Sequence, residues 1–195
     1  MSVLMRAREI GGRPVVTLDT AEAVAEIKDV VFSYGTASVV GFSLNKRGFL
    51  GSPMKEQLPW SRVAALGRDA VMVESRAALG AGDEAMRDAA GSGDRDVIGA
   101  TVMTDAGSRL GTVEDVIVQV GDGSPRVVGF EVHGPQVERD KSAATLLIPV
   151  DDTLAVSGET LMVPAAAEEF VRDDLSGFGS AVEEFRRRLD TGDPR

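Results

Sequence analysis

The chain has 195 residues, with 21 Lys and Arg against 31 Asp and Glu, so its formal charge is −10. This acidic balance argues against a general polyanion-binding protein, since phosphate groups are bound mainly through Lys and Arg. The lack of Cys and the presence of one His, His133, exclude disulfides, thiolate metal sites, a Cys nucleophile and any multi-His metal site within one chain.

The first predicted domain covers residues 1–76 and consists mainly of short strands. Runs rich in β-branched residues predict these strands, namely VVTL, DVVF, SVVGFSL and AVMV. The sequence NKRG (45–48) predicts a hairpin loop, because Asn and Gly tolerate positive φ. The N-terminal stretch lacks the apolar core of a signal peptide, and no apolar run approaches the roughly 18 residues of a spanning helix. We therefore expect a cytoplasmic protein with no membrane span.

Residues 77–95 are predicted to link this domain to a second one over residues 96–164. Within the linker, DEAMRDAA predicts one or two helical turns and GSGD predicts a flexible stretch. The second domain again has strand-like runs, namely TVM, DVIVQV, VVGFEVHG, TLLIPV and TLMV, with a hairpin loop at GDGSP (121–125). So few short strands cannot bury two faces as an open sheet, so we expect each domain to close into a small β-barrel.

The C-terminal segment, residues 165–195, is predicted to form short helices and a frayed tail. A helix follows Pro164, and a second begins at a capping box from Ser180 to Glu183. Four large apolar residues lie on one face of this second helix: Phe178, Val182, Phe185 and Leu189. Such a stripe either docks onto the protein's own barrels or binds a partner, and the former is the commoner use.

The two predicted domains are copies of one repeat. IKDVVF (27–32) matches VEDVIV (113–118), VVGF occurs at both 39–42 and 127–130, and GGRPVVTLD (11–19) corresponds to IGATVMTD (98–105). The copies differ in charge: residues 1–90 carry 11 basic and 11 acidic side chains, so residues 91–195 hold the whole −10. The DVVF strand is apolar at three consecutive positions, so its outer face should also be covered, by the other copy or by the C-terminal segment.

The shared blocks resemble the PRC-barrel family, a β-barrel named from the photosynthetic reaction centre H subunit and also found in a ribosome maturation factor. The second copy matches better, with Asp105, Gly107, Gly111 and Asp115 in the family's order. In the second copy, Gly111 is interpreted as a loop glycine. The first copy has Ala25 at that position, so its hairpin must turn differently. The resemblance covers roughly residues 8–76 and 96–164. It implies a mainly β fold of two tandem small barrels, an adaptor role and no catalytic residues.

No constellation in the sequence indicates catalysis, a cofactor or a metal. His133 ends a predicted strand without the partners that orient a catalytic base, so we expect it at the surface or in a polar cluster. The acidic pairs Asp151-Asp152 and Asp173-Asp174 lack the alternating spacing of a calcium loop, and we interpret them as solvated charge. We therefore predict that the protein is not an enzyme.

One stretch, residues 45–63, mixes basic and aromatic residues. Its candidate partner surface comprises six residues: Lys46, Arg47, Phe49, Lys55, Trp60 and Arg62. Trp and Arg are favoured anchors at protein interfaces. The alternative is that Trp60 belongs to the core or plugs the barrel, while the charges only solvate a loop. The matching loop of the second copy, residues 134–145, has no aromatic residue and is nearly neutral, so the two barrels differ here.

Three functions compete for such a chain. The leading hypothesis is a non-enzymatic adaptor or scaffold that binds a protein partner through the candidate partner surface. The second is an RNA- or ribosome-associated factor, which the charge of −10 disfavours. The third is a barrel that binds a small ligand or metal, disfavoured because small barrels fill their interior with side chains. The sequence leaves a homodimer open, and light scattering would decide it.

Overall fold

The computed structural model describes residues 3–33, 35–48, 51–91, 97–121, 123, 125–134, 146–150, 153, 155–157 and 159–165. The chain divides into two compact units. The first comprises Met1–Arg95 together with Val118–Val127, and the second comprises Asp96–Ile117 together with Val128–Arg195. The predicted C-terminal helices and the apolar stripe of the second one lie outside the described residues.

The first unit contains seven strands and two helices along residues 1–95. They are β1 (Val3–Arg6), α1 (Ala7–Ile10), β2 (Pro14–Thr17), β3 (Ala23–Ser33), β4 (Ser38–Asn45), β5 (Pro53–Pro59), β6 (Val63–Leu66), β7 (Val71–Val73) and α2 (Glu84–Gly91), with 3-10 turns at Trp60–Arg62 and Arg76–Ala78. Six strands form a curled sheet in the order β5-β4-β3-β2-β7-β6. Strands β2 and β7 run parallel, and the other neighbours run antiparallel.

The second copy repeats this arrangement strand for strand. Its strands are β8 (Thr101–Thr104), β9 (Arg109–Val120), β10 (Arg126–His133), β11 (Leu146–Pro149), β12 (Ala155–Val156) and β13 (Thr160–Val163). Their order is β11-β10-β9-β8-β13-β12, and β8 and β13 again run parallel. The mainly β fold and its tandem repetition are therefore confirmed.

The tip of the β9–β10 hairpin, residues 118–127, belongs to the first unit. There it pairs with the start of β4: Arg126 lies opposite Ser38, and the Val39 amide donates to the carbonyl of Pro125 at 3.0 Å. The Val127 amide donates in turn to the carbonyl of Ala37 at 2.8 Å. The first unit therefore contains residues from both repeats.

The two copies also share an irregularity between their first two strands. Val15 lies opposite Ala25 and Val16 opposite Ala23, so one residue of β3 is skipped as a bulge. Strands β8 and β9 skip one residue in the same place, after the pair of Val102 with Gly111. Gly111 is thus a strand residue and not the loop glycine that the sequence suggested, and it occupies the position of the buried Ala25.

The turn itself does differ between the copies, as the sequence predicted. In the second copy the Gly107 amide donates to the carbonyl of Thr104, and Gly107 takes a φ of 84°. In the first copy the turn from Thr17 is one residue longer, and Ala21 adopts a φ of 56°. A left-handed conformation costs a residue with a Cβ roughly 1–2 kcal/mol, whereas glycine adopts it freely.

Replacing Ala21 with Gly should therefore stabilise the protein, by about 0.5–1 kcal/mol after the added entropy of the unfolded chain is subtracted. Urea denaturation would measure the free energy of unfolding. Ala25→Gly is the matched control. Ala25 is buried in a strand, so the same replacement there should destabilise the protein. If Ala21→Gly lowers stability as much as the control does, the left-handed alanine carries no strain.

The repeated sequence VVGF places the same side chains in both cores. Phe42 and Phe130, its final residues, are both fully buried. Around them each unit buries aliphatic side chains from the neighbouring strands: Val15, Ile27, Leu44, Leu58 and Val71 in the first, and Val102, Val113, Ile148 and Leu161 in the second. Close packing of such residues is the main stabilising contribution to a small β unit.

Helix α2, predicted from DEAMRDAA, covers the outer face of β3 and β4 in the first unit. Met86 and Ala89 of the helix are buried and pack with Val40 and the partly buried Val31. The sequence predicted such a cover but assigned it to the other copy or the C-terminal segment. The helix comes instead from the predicted linker, residues 77–95, of which 92–95 lie outside the described part.

Candidate functional site

Two of the six candidate residues lie in the hairpin turn between β4 and β5. Lys46 and Arg47 follow the last residue of β4, and both are exposed. The backbone of this turn closes on itself, since the Lys46 amide donates to the carbonyl of Ser52 at 2.9 Å. Phe49 of the same turn lies outside the described residues. The hairpin predicted at NKRG is therefore present, and it exposes two adjacent cations.

Lys55 lies in β5, which forms one edge of the sheet. Its side chain and that of the next residue, Glu56, are both exposed, at a point where the pairing of β5 with β4 shifts register. The outer edge of β5 is occupied at Gln57, which exchanges backbone hydrogen bonds of 2.7 and 3.1 Å with Gly80. Lys and Pro on edge strands discourage pairing with other chains. Lys55 and Pro53 fit that protective role as well as a role in binding.

Trp60 lies at the far end of β5 and is half-buried. Its ring meets the ring of Phe42 edge-on, with centroids 6.2 Å apart and planes inclined by 64°. Because Phe42 is fully buried opposite Leu58, one side of Trp60 completes the core. The remainder of its ring is accessible. Trp60 therefore contacts the core and is also partly exposed, which are the two alternatives that the sequence left open.

Arg62 lies in the same 3-10 turn as Trp60 and binds the protein's own backbone. Its guanidinium donates to the carbonyl of Ala78 at 3.3 Å. The neighbouring Ser61 hydroxyl donates to the carboxylate of Asp83 at 3.1 Å, and that carboxylate also accepts the Met86 amide at 3.1 Å. Asp83 therefore caps helix α2 and joins it to the 3-10 turn. Arg62 is exposed but contributes to this internal connection.

The candidate partner surface is consequently elongated. Trp60 comes five positions after Lys55, just beyond the end of β5, which corresponds to at most about 16 Å at ~3.3 Å per strand residue. One end, at Lys46 and Arg47, is basic and exposed, whereas the other, at Trp60 and Arg62, contacts the core and the segment before α2. The sequence grouped these residues as one surface. The structure divides them between a basic end and an aromatic end.

Some cations of the first unit pair with a carboxylate, whereas others, including Arg68, Arg76 and Arg87, have no ion pair among the described residues. Lys28 pairs with Asp29 at 2.9 Å, and Arg6 pairs with Glu9 at 3.6 Å. Within the described part of the chain, no carboxylate lies within ion-pair distance of Lys46, Arg47 or Lys55. Their charge is therefore not neutralised by any described residue.

A pair of buried acids in the second unit was not found from the sequence. Asp115 is fully buried and Glu131 is 4% exposed. Their counterparts by repeat register, Asp29 and Ser43, form a partly exposed hydrogen bond of 3.1 Å instead. One carboxylate oxygen of Asp115 accepts the amide of Val116 at 2.8 Å. The sequence signal for this difference was the register offset between the copies, which aligns Ser43 with Glu131.

The remaining predicted positions add no chemical site. His133 is exposed at the end of β10, as expected. The acidic pairs at 151–152 and 173–174 lie outside the described residues. In the described ranges, no three His, Asp or Glu residues are grouped so as to hold a metal ion. None of the helices in those ranges has the length and apolarity needed to cross a membrane.

Comparison with known proteins agrees with this architecture. The family model for the PRC-barrel domain matches residues 3–80 and again residues 91–170. No curated protein matches the chain. Barrels of this family are typically non-catalytic modules. The two matches together span most of the sequence and coincide with the two strand-for-strand copies, so the chain belongs to the PRC-barrel family and carries two tandem PRC-barrel domains.

Proposed function

We propose that the protein is a non-enzymatic adaptor or scaffold that binds a protein partner through the candidate partner surface of its first barrel. The observation that carries this proposal is the set of exposed cations on the β4–β5 hairpin, Lys46, Arg47 and Lys55, which no described carboxylate neutralises. Trp60 adds a rigid, half-exposed aromatic surface at the other end, held by its contact with Phe42. Pre-organised aromatic and basic side chains are typical anchors of protein interfaces.

A protein partner fits this surface better than RNA does. The whole chain carries −10, so a long polyanion would be repelled from most of it. Three cations on one hairpin neutralise only a few phosphates, whereas non-specific nucleic-acid binding depends on many such contacts. The cytoplasmic location expected from the sequence forms part of this proposal.

Affinity purification from the native cell tests the proposal. The bait is compared with a variant in which Lys46, Arg47, Lys55, Trp60 and Arg62 are all replaced by Ala. We expect the partner's recovery to fall at least tenfold, because interface anchors each contribute about 1 kcal/mol or more. The control replaces three exposed arginines elsewhere on the first unit, Arg68, Arg76 and Arg87.

Circular dichroism of each variant would show whether the fold is retained, since Trp60 also contacts the core. Unchanged recovery with the folded five-residue variant would exclude this surface. Recovery of RNA, lost steeply as salt increases, would favour the second hypothesis instead.

A further inference from the structure

We propose that the basic end of the candidate partner surface docks a short acidic segment of the partner protein. The basic end is defined as Lys46, Arg47 and Lys55. This inference rests on the proposed function and specifies the chemistry of the partner. Trp60 and Arg62 lie at the other end of the surface and take no part in this docking.

Two backbone hydrogen bonds join described residues of the turn that carries Lys46 and Arg47. The Lys46 amide donates to the carbonyl of Ser52, and the Gly51 amide donates to the carbonyl of Gly48, both at 2.9 Å. A side chain at Gly51 would collide with the carbonyl of Lys46, so this position requires glycine. Lys46 and Arg47 thus lie between backbone positions that are held by hydrogen bonds, which lowers the ordering cost of binding.

Lys55 lies close enough to act with them. Asn45, the residue before Lys46, is paired with Pro53 across the hairpin. Lys55 is two residues beyond Pro53, which is at most about 7 Å of extended chain, in the stretch where β5 shifts register against β4. All three cations therefore lie near one end of the hairpin, while Trp60 lies at most about 16 Å further along.

Charge complementarity selects the occupant. The basic end has no carboxylate within ion-pair distance among the described residues, so its attraction is available to a ligand. Residues 1–90 are neutral overall, which makes this attraction local, while the −10 of residues 91–195 repels an extended polyanion. A short acidic peptide segment can place two or three carboxylates on the hairpin without the many negative charges of an extended polyanion.

The expected strength is modest. An exposed ion pair changes affinity by a factor of about five at most, so three such pairs favour association rate and partner choice more than total affinity. Reversing all three charges removes the attraction and adds repulsion. We therefore expect a loss of roughly 30-fold or more, shrinking as salt increases.

The test measures binding of a fluorescein-labelled oligoglutamate peptide to the full chain by fluorescence anisotropy. At an ionic strength of about 10 mM, where the Debye length is ~30 Å, we expect saturable binding that weakens with salt. The variant K46E/R47E/K55E should lose at least 30-fold in affinity. Its matched control is R68E/R76E/R87E, which makes the same change in net charge at exposed residues of the same unit and should stay within threefold of wild type.

Three results would overturn the inference. Absence of peptide binding at low salt is the first, and equal losses in the two triple variants, which would indicate a net-charge effect, are the second. The third is tighter binding of a uridine oligonucleotide of equal charge, which would make nucleic acid the ligand. If the partner captured from cells still binds K46E/R47E/K55E but not W60A/R62A, the acidic-segment inference fails while the proposed function stands.

Discussion

Gly134→Ala should destabilise the second barrel by about 3 kcal/mol, at the upper end of the usual cost of overpacking. Gly134 follows the last residue of β10, and a Cβ there would collide with the carbonyl oxygen of Leu110 in β9. A Cβ on the neighbouring Gly111 would in turn collide with the carbonyl of His133. The two strands approach so closely at this point that only glycine fits on either side.

The cost is large because the obstacles are backbone atoms. A flexible side chain can rotate away from an added methyl group, but a carbonyl moves only with its strand. For a chain of this size, each kcal/mol shifts the melting temperature by roughly 2–4 °C, so we expect a decrease of about 6–12 °C. Differential scanning calorimetry would measure it.

Gly35→Ala is the control for that experiment. Gly35 lies in an exposed turn, where nothing lies within 4 Å of an added Cβ. The same substitution there should change stability by no more than about 0.5 kcal/mol. If the two variants melt together, the close approach of β9 and β10 at Gly134 does not exist in solution.

Met86→Asp should have the second large effect, a loss of about 2–4 kcal/mol together with detachment of α2. Met86 is 2% exposed and, together with the buried Ala89, packs the helix against β3 and β4. An aspartate there would be a buried, unpaired charge beside Val40 and Gly41. Gly41 also leaves the space that Met86 occupies, since a Cβ would lie 2.6 Å from the Met86 sulfur.

Hydrogen exchange gives the decisive readout for this variant. Amides of residues 84–91 should exchange faster than in wild type, because a detached helix of eight residues is too short to persist in water. Ala85→Asp is the matched control: Ala85 is exposed on the same helix, and a carboxylate in the first turn favours the helix dipole. Equal exchange in both variants would show that Met86 does not anchor α2.

Much of this fold follows from the sequence because strand formation is largely local. Short β-branched runs between turn residues predicted the strands, and the repeat predicted that both copies would adopt the same strand order. The VVGF repeats correctly indicated two equivalent core positions, Phe42 and Phe130. These signals succeed because alternating or continuous apolar patterns report burial directly.

Features that depend on distant partners could not be predicted in the same way. Gly111 was interpreted as a loop glycine because its true constraint, Gly134, lies 23 positions further along the chain. The role of α2 was missed because, among its described side chains at 84–89, only Met86 and Ala89 are buried, which is too few for a clear apolar stripe. Composition alone also cannot show that Asp115 is buried while Asp29, at the same repeat position, is exposed.

The candidate partner surface was predicted as one run of residues, and its division into two ends required the structure. The run of residues 45–63 reverses direction at a hairpin and then enters a 3-10 turn. Closeness in the sequence therefore overstates how readily Lys46 and Trp60 could contact the same ligand. The contact of Trp60 with Phe42 and the bond from Arg62 to Ala78 depend on tertiary structure and leave no mark on local sequence pattern.

The inclusion of residues 118–127 in the first unit has a consequence for the order of folding during synthesis. The amide of Val39 and the carbonyl of Ala37 obtain their partners, Pro125 and Val127, only after the chain has grown more than 80 residues further. Until then a nascent first barrel has an incomplete strand edge, which is a site for pairing with other chains. Translation must therefore pass well into the second repeat before the first barrel is finished, and the natural point of completion is not the boundary between the repeats.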